Sequence, residues 1–242
     1  MIKIYRTENY DAMSFKAASI LGSQVLLKPD SVLGLATGST PVGMYKQLAQ
    51  WCKEGELDFS KVSSINLDEY KGLEPENDQS YRYFMNVNFF SHINIDKEKT
   101  NVPNGLEMDS KKECARYEKL ISDFGGIDMQ VLGLGHNGHI AFNEPADEFI
   151  METHVVGLTQ STIDANMRFF EKREDVPKEA YTMGIRGIMQ ARKILLMVSG
   201  EEKAEIIKQV FCGPVTPKVP ASILQMHSDV YLVGDIAALS LI

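Results

Sequence analysis

Apolar positions along the chain follow two alternating patterns. Residues 11–27 place Met13, Ala17, Ala18, Ile20, Leu21 and Val25 at helical spacing, and Pro29 ends the run. Val32-Leu-Gly-Leu-Ala36 is then continuously apolar over the length of a strand, as expected where both faces of a sheet are covered. After Thr37-Gly-Ser-Thr40, Pro41 is placed to open a second helix whose face carries Met44, Tyr45, Leu48, Trp51 and Cys52. Residues 62–67 predict the next strand, running straight into Asp68-Glu-Tyr70, and Tyr81, Phe84, Met85 and Phe89 predict an aromatic helix. Ser110 and Glu113 have the spacing of a capping box ahead of Cys114, Tyr117, Leu120 and Ile121. Further strands are predicted over 129–134, 154–158, 193–199 and 230–233, with a helix over about 201–211 between the last two.

Strands and helices in this order imply right-handed crossovers. The expected fold is α/β, a mostly parallel, Rossmann-like sheet with helices on both faces. No internal repeat, low-complexity tract or linker divides residues 1–242, so a single domain is expected. Such sheets bind ligands at the carboxyl ends of their strands. The polar clusters of this chain do follow its predicted strands.

Composition narrows the function. With 242 residues, 44% hydrophobic and 24% charged, the chain can bury a core without disulfide or metal staples. Its 25 Lys and Arg against 33 Asp and Glu leave a net charge of −8, which argues against a nucleic-acid partner. An anionic ligand must then rely on a few local cations. No secretory pattern or membrane-length apolar run is present, so a cytoplasmic location without a membrane partner is expected. Cys52, Cys114 and Cys212 each sit among apolar residues at helical spacing and are expected to be buried free thiols.

Three strand ends carry candidate chemistry. Thr37-Gly38-Ser39-Thr40 joins a buried strand to a helix N-terminus, where backbone N–H groups and hydroxyls can hold an anion or simply cap a tight turn. It is not a Walker A loop, because no Lys-Ser/Thr follows the glycine. Asp68 and Glu69 point in different directions, so only one can line a cleft. There it would be a desolvated general base; alternatively Asp68 caps a helix and Glu69 is solvated. The third cluster is Gly133-Leu-Gly-His136-Asn137-Gly138-His139-Ile-Ala-Phe-Asn143-Glu144-Pro145. Its G-x-G-x-x-G spacing matches a dinucleotide fingerprint, but Asn143-Glu-Pro145 leaves too little room for the crossover helix that fingerprint requires. His136 and His139 straddle a glycine, unlike a metal-binding pair on one helix face, so no metal is expected. His139 reads better as an acid/base, with Asn137 and Glu144 orienting or tuning it.

These strings together, A-T-G-S-T-P, N-L-D-E-Y and G-H-N-G-H-I-A-F-N-E-P, resemble the glucosamine-6-phosphate deaminase family of amino-sugar isomerases. The resemblance extends through Asn166-Met-Arg168, Ala180-Tyr-Thr-Met-Gly184, Ser199-Gly-Glu-Glu-Lys203 and Pro220-Ala-Ser222. It implies conversion of glucosamine 6-phosphate and water to fructose 6-phosphate and ammonia, with no cofactor and no metal. It further implies that Asp68 moves the C2 proton to C1 through an enolamine. His139 would open the sugar ring with Glu144 and Asn137. The phosphate would rest on Thr37, Gly38, Ser39 and Thr40, with Arg168 and Lys203 closing on it. Ser39 and Asn137 stand where the family more often has glycine and aspartate; Asn137 cannot take a proton and can only orient.

Two other readings compete. A 6-phosphogluconolactonase would share the architecture and a similar glycine-histidine turn, but Ile140-Ala-Phe-Asn-Glu-Pro145 departs from the lactonase continuation, and lactone hydrolysis has little need of a carbon-acid base. A sugar-phosphate-sensing regulator would be expected to carry a DNA-binding segment ahead of the domain, and here the sheet begins almost at Met1. A mobile lid is expected over about 149–177, where apolar residues mix with Glu171-Lys-Arg-Glu-Asp175. Allosterically activated relatives carry an arginine and a lysine where this chain has His154 and Val156, and a longer C-terminal tail. The resemblance therefore implies unregulated kinetics and a monomer or small homo-oligomer.

Overall fold

The computed structural model describes residues 1–158, Met167 and 177–242. Arg168 and most of the expected lid lie outside the described residues. In chain order the elements are β1 (Ile2–Thr7), α1 (Tyr10–Leu27), β2 (Val32–Leu35), α2 (Val42–Lys53), β3 (Ser63–Asn66) and β4 (Asp68–Tyr70). They continue with α3 (Tyr81–Asn88), β5 (Thr100–Asn101), α4 (Ser110–Asp123), β6 (Met129–Leu132), β7 (His154–Gly157) and β8 (Glu179–Thr182). The chain closes with α5 (Ile185–Met189), β9 (Ile194–Val198), α6 (Ala204–Cys212) and β10 (Val230–Asp235).

Among the described residues seven strands form one parallel sheet in the order β1-β10-β9-β6-β2-β3-β5. Every residue of β2, β6 and β9 is buried, so both faces of the central sheet are covered. The α/β expectation holds. Met13, Ala17 and Leu21 of α1, Met44 and Leu48 of α2, Tyr117 and Ile121 of α4, and Ile207 and Val210 of α6 join the strand residues in one continuous core.

Local signals account for most helix boundaries. Asn9 caps α1, its side chain accepting from Ala12 N at 3.0 Å, and the helix stops at Leu27, two residues before Pro29. Pro41 is the residue before α2 rather than its first helical residue. The Ser110–Glu113 capping box does not form. Asp109, one residue earlier, caps α4 by accepting from Lys111 N and Lys112 N. Glu113 turns instead to Asn104 N at 2.7 Å and to the Arg116 guanidinium, whose charge makes it a stronger partner than a cap N–H. The three cysteines are free, but they are not buried: Cys52 and Cys114 are half-buried and Cys212, in the last turn of α6, is exposed.

A second, small antiparallel sheet, β4-β8-β7, was not expected from the sequence, although β7 falls within the strand predicted over 154–158. It sits at the carboxyl edge of the main sheet, because β4 starts two residues after β3 ends. Asp68 and His154 both pair with Thr182, and Met183 N donates to Leu67 O at 2.7 Å.

Candidate active site

The loops following β2, β3 and β6 converge on a cleft of about 250 Å³. Thr37, Gly38, Ser39 and Thr40 line it, together with Asp68, Tyr81, Gly135, His139 and Phe142. All three strand-end clusters singled out in the sequence therefore meet in one place.

The first loop is a tight turn that leads into a helix N-terminus at the cleft. Gly38 adopts φ +91°, a left-handed conformation open to glycine, and this turns the chain into the N-terminus of α2. Tyr10 of α1 steadies the turn: its hydroxyl donates to Ser39 O and accepts from Gly43 N, each at 2.9 Å. No local spacing could have revealed Tyr10, which lies 29 residues from Ser39.

Asp68 is 6% exposed and faces the cleft. Burial, and then the neighbouring Glu69 charge, push its carboxyl up to about 8. A group poised there can accept a proton at physiological pH and return it. Glu69 was expected either to line the cleft or to be solvated; it does neither. It is 3% exposed and accepts from the backbone of Tyr70, Tyr81 and Arg82, so it is the glutamate, not Asp68, that caps a helix.

The third loop makes a tight turn rather than a helix start, in keeping with rejecting the dinucleotide reading. Gly138 N bonds Gly135 O at 3.1 Å, and Gly135 N bonds His139 O at 2.9 Å. The imidazole of His139 lies against Gly135, whose missing side chain makes the space: a β-carbon there would come 2.3 Å from Nε2. Glu144 Oε1 stands 3.1 Å from His139 Nδ1. Asn137 donates from Nδ2 to Glu144 Oε2 at 2.6 Å and accepts from His139 N at 3.2 Å. Asn137 thus links carboxylate and histidine, an orienting contact within an amide's capacity. Asn143 fixes the far end of the turn by donating to Ile140 O and Met183 O, and Phe142 N donates to Thr182 Oγ1. The small sheet therefore sets the positions of both Asp68 and the histidine loop.

Lys203 precedes α6, and its Nζ donates to Leu134 O at 2.8 Å beside the cleft. Burial lowers its proton affinity below the ordinary lysine range. Asp235, at the end of β10, anchors this loop by accepting from Ser199 Oγ and from Gly200 N. His136 is exposed, with its ring 6.2 Å from that of His139 between centroids. Among the described residues no group of three His, Cys, Asp or Glu is placed to hold a metal ion.

Residues 17–232 match the family model described as glucosamine-6-phosphate isomerases/6-phosphogluconolactonase. A glucosamine-6-phosphate deaminase of Lachnoclostridium phytofermentans is 57% identical over 232 residues, covering 96% of this chain and 98% of the relative. One from Clostridium perfringens is 55% identical, covering 97% of each. Among solved structures, a monomeric glucosamine-6-phosphate deaminase superposes with a TM-score of 0.95 at 43% identity, covering 99% of this chain and 100% of that one. A 6-phosphogluconolactonase from Thermotoga maritima, at 20% identity and a TM-score of 0.75, covering 97% of this chain and 99% of that one, shares the fold.

Proposed function

The chain belongs to the family of glucosamine-6-phosphate isomerases and 6-phosphogluconolactonases, and we infer from its near-full-length identity to deaminases that it converts glucosamine 6-phosphate and water into fructose 6-phosphate and ammonia. The observation that carries the site assignment is Asp68, a buried carboxyl of raised proton affinity in the same cleft as His139.

The residues divide the work as follows. The phosphate rests on the N–H groups and hydroxyls of Thr37 to Thr40 at the start of α2, with Lys203 and Arg168 as the neutralising cations. His139, held by Glu144 and Asn137, takes the proton of the anomeric hydroxyl and returns one to the ring oxygen as the C1–O5 bond breaks. The open chain carries an aldehyde at C1 and an amine at C2. Asp68 removes the C2 proton to give the enolamine and delivers it to C1, leaving a C2 imine that water hydrolyses to the ketone and ammonia. Hydrolysis of a lactone breaks no C–H bond and would leave Asp68 without a task. A phosphorylated metabolite supports the cytoplasm as the compartment, and the monomeric relative supports a monomer or small homo-oligomer. Among the described residues no helix is long and apolar enough to cross a membrane.

Incubation with glucosamine 6-phosphate or with 6-phosphogluconolactone tests the reading. Ammonia from the first and no accelerated opening of the second is expected; the reverse pattern would overturn it.

A further inference from the structure

Glu69 lies outside the roles just given, yet it is among the most elaborately held carboxylates of the molecule. Its Oε1 accepts from Tyr70 N at 2.8 Å and Tyr81 N at 2.9 Å, and its Oε2 from Arg82 N at 2.9 Å. Ser80 caps α3 on its own account by accepting from Tyr83 N at 3.0 Å, so Glu69 takes the remaining free N–H groups of the first helical turn. The side chain thereby spans from the strand end bearing Asp68 to a helix 12 residues on. At the start of that helix Tyr81 enters the cleft, its ring parallel to Phe142 within 7° and its hydroxyl donating to Tyr70 at 3.2 Å.

A neutral side chain could accept the same N–H groups without the cost of burying a charge. Burial raises the proton affinity of Glu69 itself, against the pull of its three backbone donors and the Arg82 charge; as a carboxylate it repels the charge of Asp68 next to it. The titratable groups facing Asp68 are Glu69 on its own strand, Tyr81 from α3, Tyr117 from α4 and His139 in the cleft. Glu69 in turn faces Arg82, but that guanidinium donates to the hydroxyl and carbonyl oxygen of Thr100.

We propose that Glu69 is a positioning residue for the deamination: it fastens α3 to the strand end so that Tyr81 and Asp68 share one cleft, and it sets a second carboxylate beside Asp68. This rests on the deaminase reading above. Two variants separate the two actions. Glu69→Gln removes the charge and turns an amide N–H₂ toward backbone donors. Glu69→Asp keeps the charge but withdraws it from α3.

The experiment is the pH profile of kcat/KM for ammonia release from glucosamine 6-phosphate, with kcat and KM measured separately. In Glu69→Gln, kcat falls about tenfold or more, KM stays within about threefold, and the acid limb moves to lower pH, because a like charge beside Asp68 is gone. In Glu69→Asp, kcat falls while the acid limb stays in place. Titration of the substrate itself is common to all variants and cancels. An unmoved acid limb in Glu69→Gln overturns the proposal, whether or not kcat drops. If circular dichroism finds Glu69→Gln unfolded, Glu69→Asp decides: a lowered kcat at unchanged acid limb supports it and a wild-type kcat overturns it. A wild-type protein that releases no ammonia overturns the deaminase reading and this proposal with it, whereas an active wild type with indifferent Glu69 variants overturns this proposal alone.

Discussion

Replacing Gly135 by alanine adds one methyl group under the imidazole of His139. The new carbon would stand 2.3 Å from Cδ2 and Nε2 and 2.4 Å from Cε1, whereas carbon atoms rest about 3.5–4.0 Å apart. The ring must therefore move by more than about 1 Å. It cannot do so freely, because Glu144 stands 3.1 Å from Nδ1, and Asn137 and Gly135 hold the residue's own backbone. A misplacement of about 1 Å costs on the order of 10²-fold in rate, and full loss of a general acid/base about 10²–10⁴-fold. Gly135→Ala is accordingly expected to lower kcat for ammonia release by about 10²-fold or more. KM should change by less than about threefold, since the Gly38–Thr40 loop is untouched. Overpacking of this kind costs about 1–3 kcal/mol of stability, so a thermal melt confirms that the variant is folded at the assay temperature. Gly157→Ala, at an exposed site with open space around it, is the control and should change neither parameter. A Gly135→Ala enzyme with wild-type kcat would refute the placement of His139 in the chemistry.

Asp68→Asn should reduce turnover by about 10²–10⁴-fold with little change in phosphate binding. The same change should raise the melting temperature at pH 8: a carboxyl lifted from 3.8 to about 8 on folding binds more protons native than unfolded between those values, so wild-type stability declines as pH rises across that window. A melting curve of Asp68→Asn unchanged from wild type at pH 8 would contradict the burial argument. Lys203→Ala and Arg168→Ala should each raise KM for the phosphorylated sugar about tenfold or more, since charge-assisted bonds to phosphate are worth roughly 1.5–3 kcal/mol. Any reaction of unphosphorylated glucosamine should be indifferent to both; equal effects on the two sugars would count against a phosphate role. Burial lowers the proton affinity of His154, which leaves it neutral at pH 7, and Val156 cannot bind an anion. Rate-versus-substrate curves should therefore be hyperbolic and unaltered by N-acetylglucosamine 6-phosphate; sigmoidal curves that this compound makes hyperbolic would refute the expectation.

The central strands of the main sheet were legible because they are buried on both faces and read as short apolar runs, as Val32 to Leu35 and Ile194 to Val198 show, whereas the partly exposed β1 and the two-residue β5 carry no such run. The site clusters were legible because polar residues directly after such runs have few structural reasons to be there. In the small sheet only β7, within the predicted 154–158, was legible. Its strands are three or four residues long, and Glu179-Ala-Tyr-Thr182 has no periodicity to distinguish it from a loop. Contacts that cross the chain were equally invisible. Glu69 reaches backbone 12 and 13 residues on, Tyr10 reaches Ser39, and the rivalry between Asp109 and Ser110 for the cap of α4 was settled by Asn104 and Arg116 drawing Glu113 away. Cys212 is exposed because the core-facing stripe of α6, Ile206, Ile207 and Val210, leaves it on the other side.

In the proposed reaction Asp68 carries a proton off C2 of an opened amino sugar. Glucosamine 6-phosphate deuterated at C2 tests it directly, with the product examined by NMR. Ammonia and fructose 6-phosphate carrying deuterium at C1 in at least part of the product are expected, and neither product from Asp68→Asn at a comparable rate. An aldose 6-phosphate that keeps its deuterium at C2, or full turnover by Asp68→Asn, would contradict it.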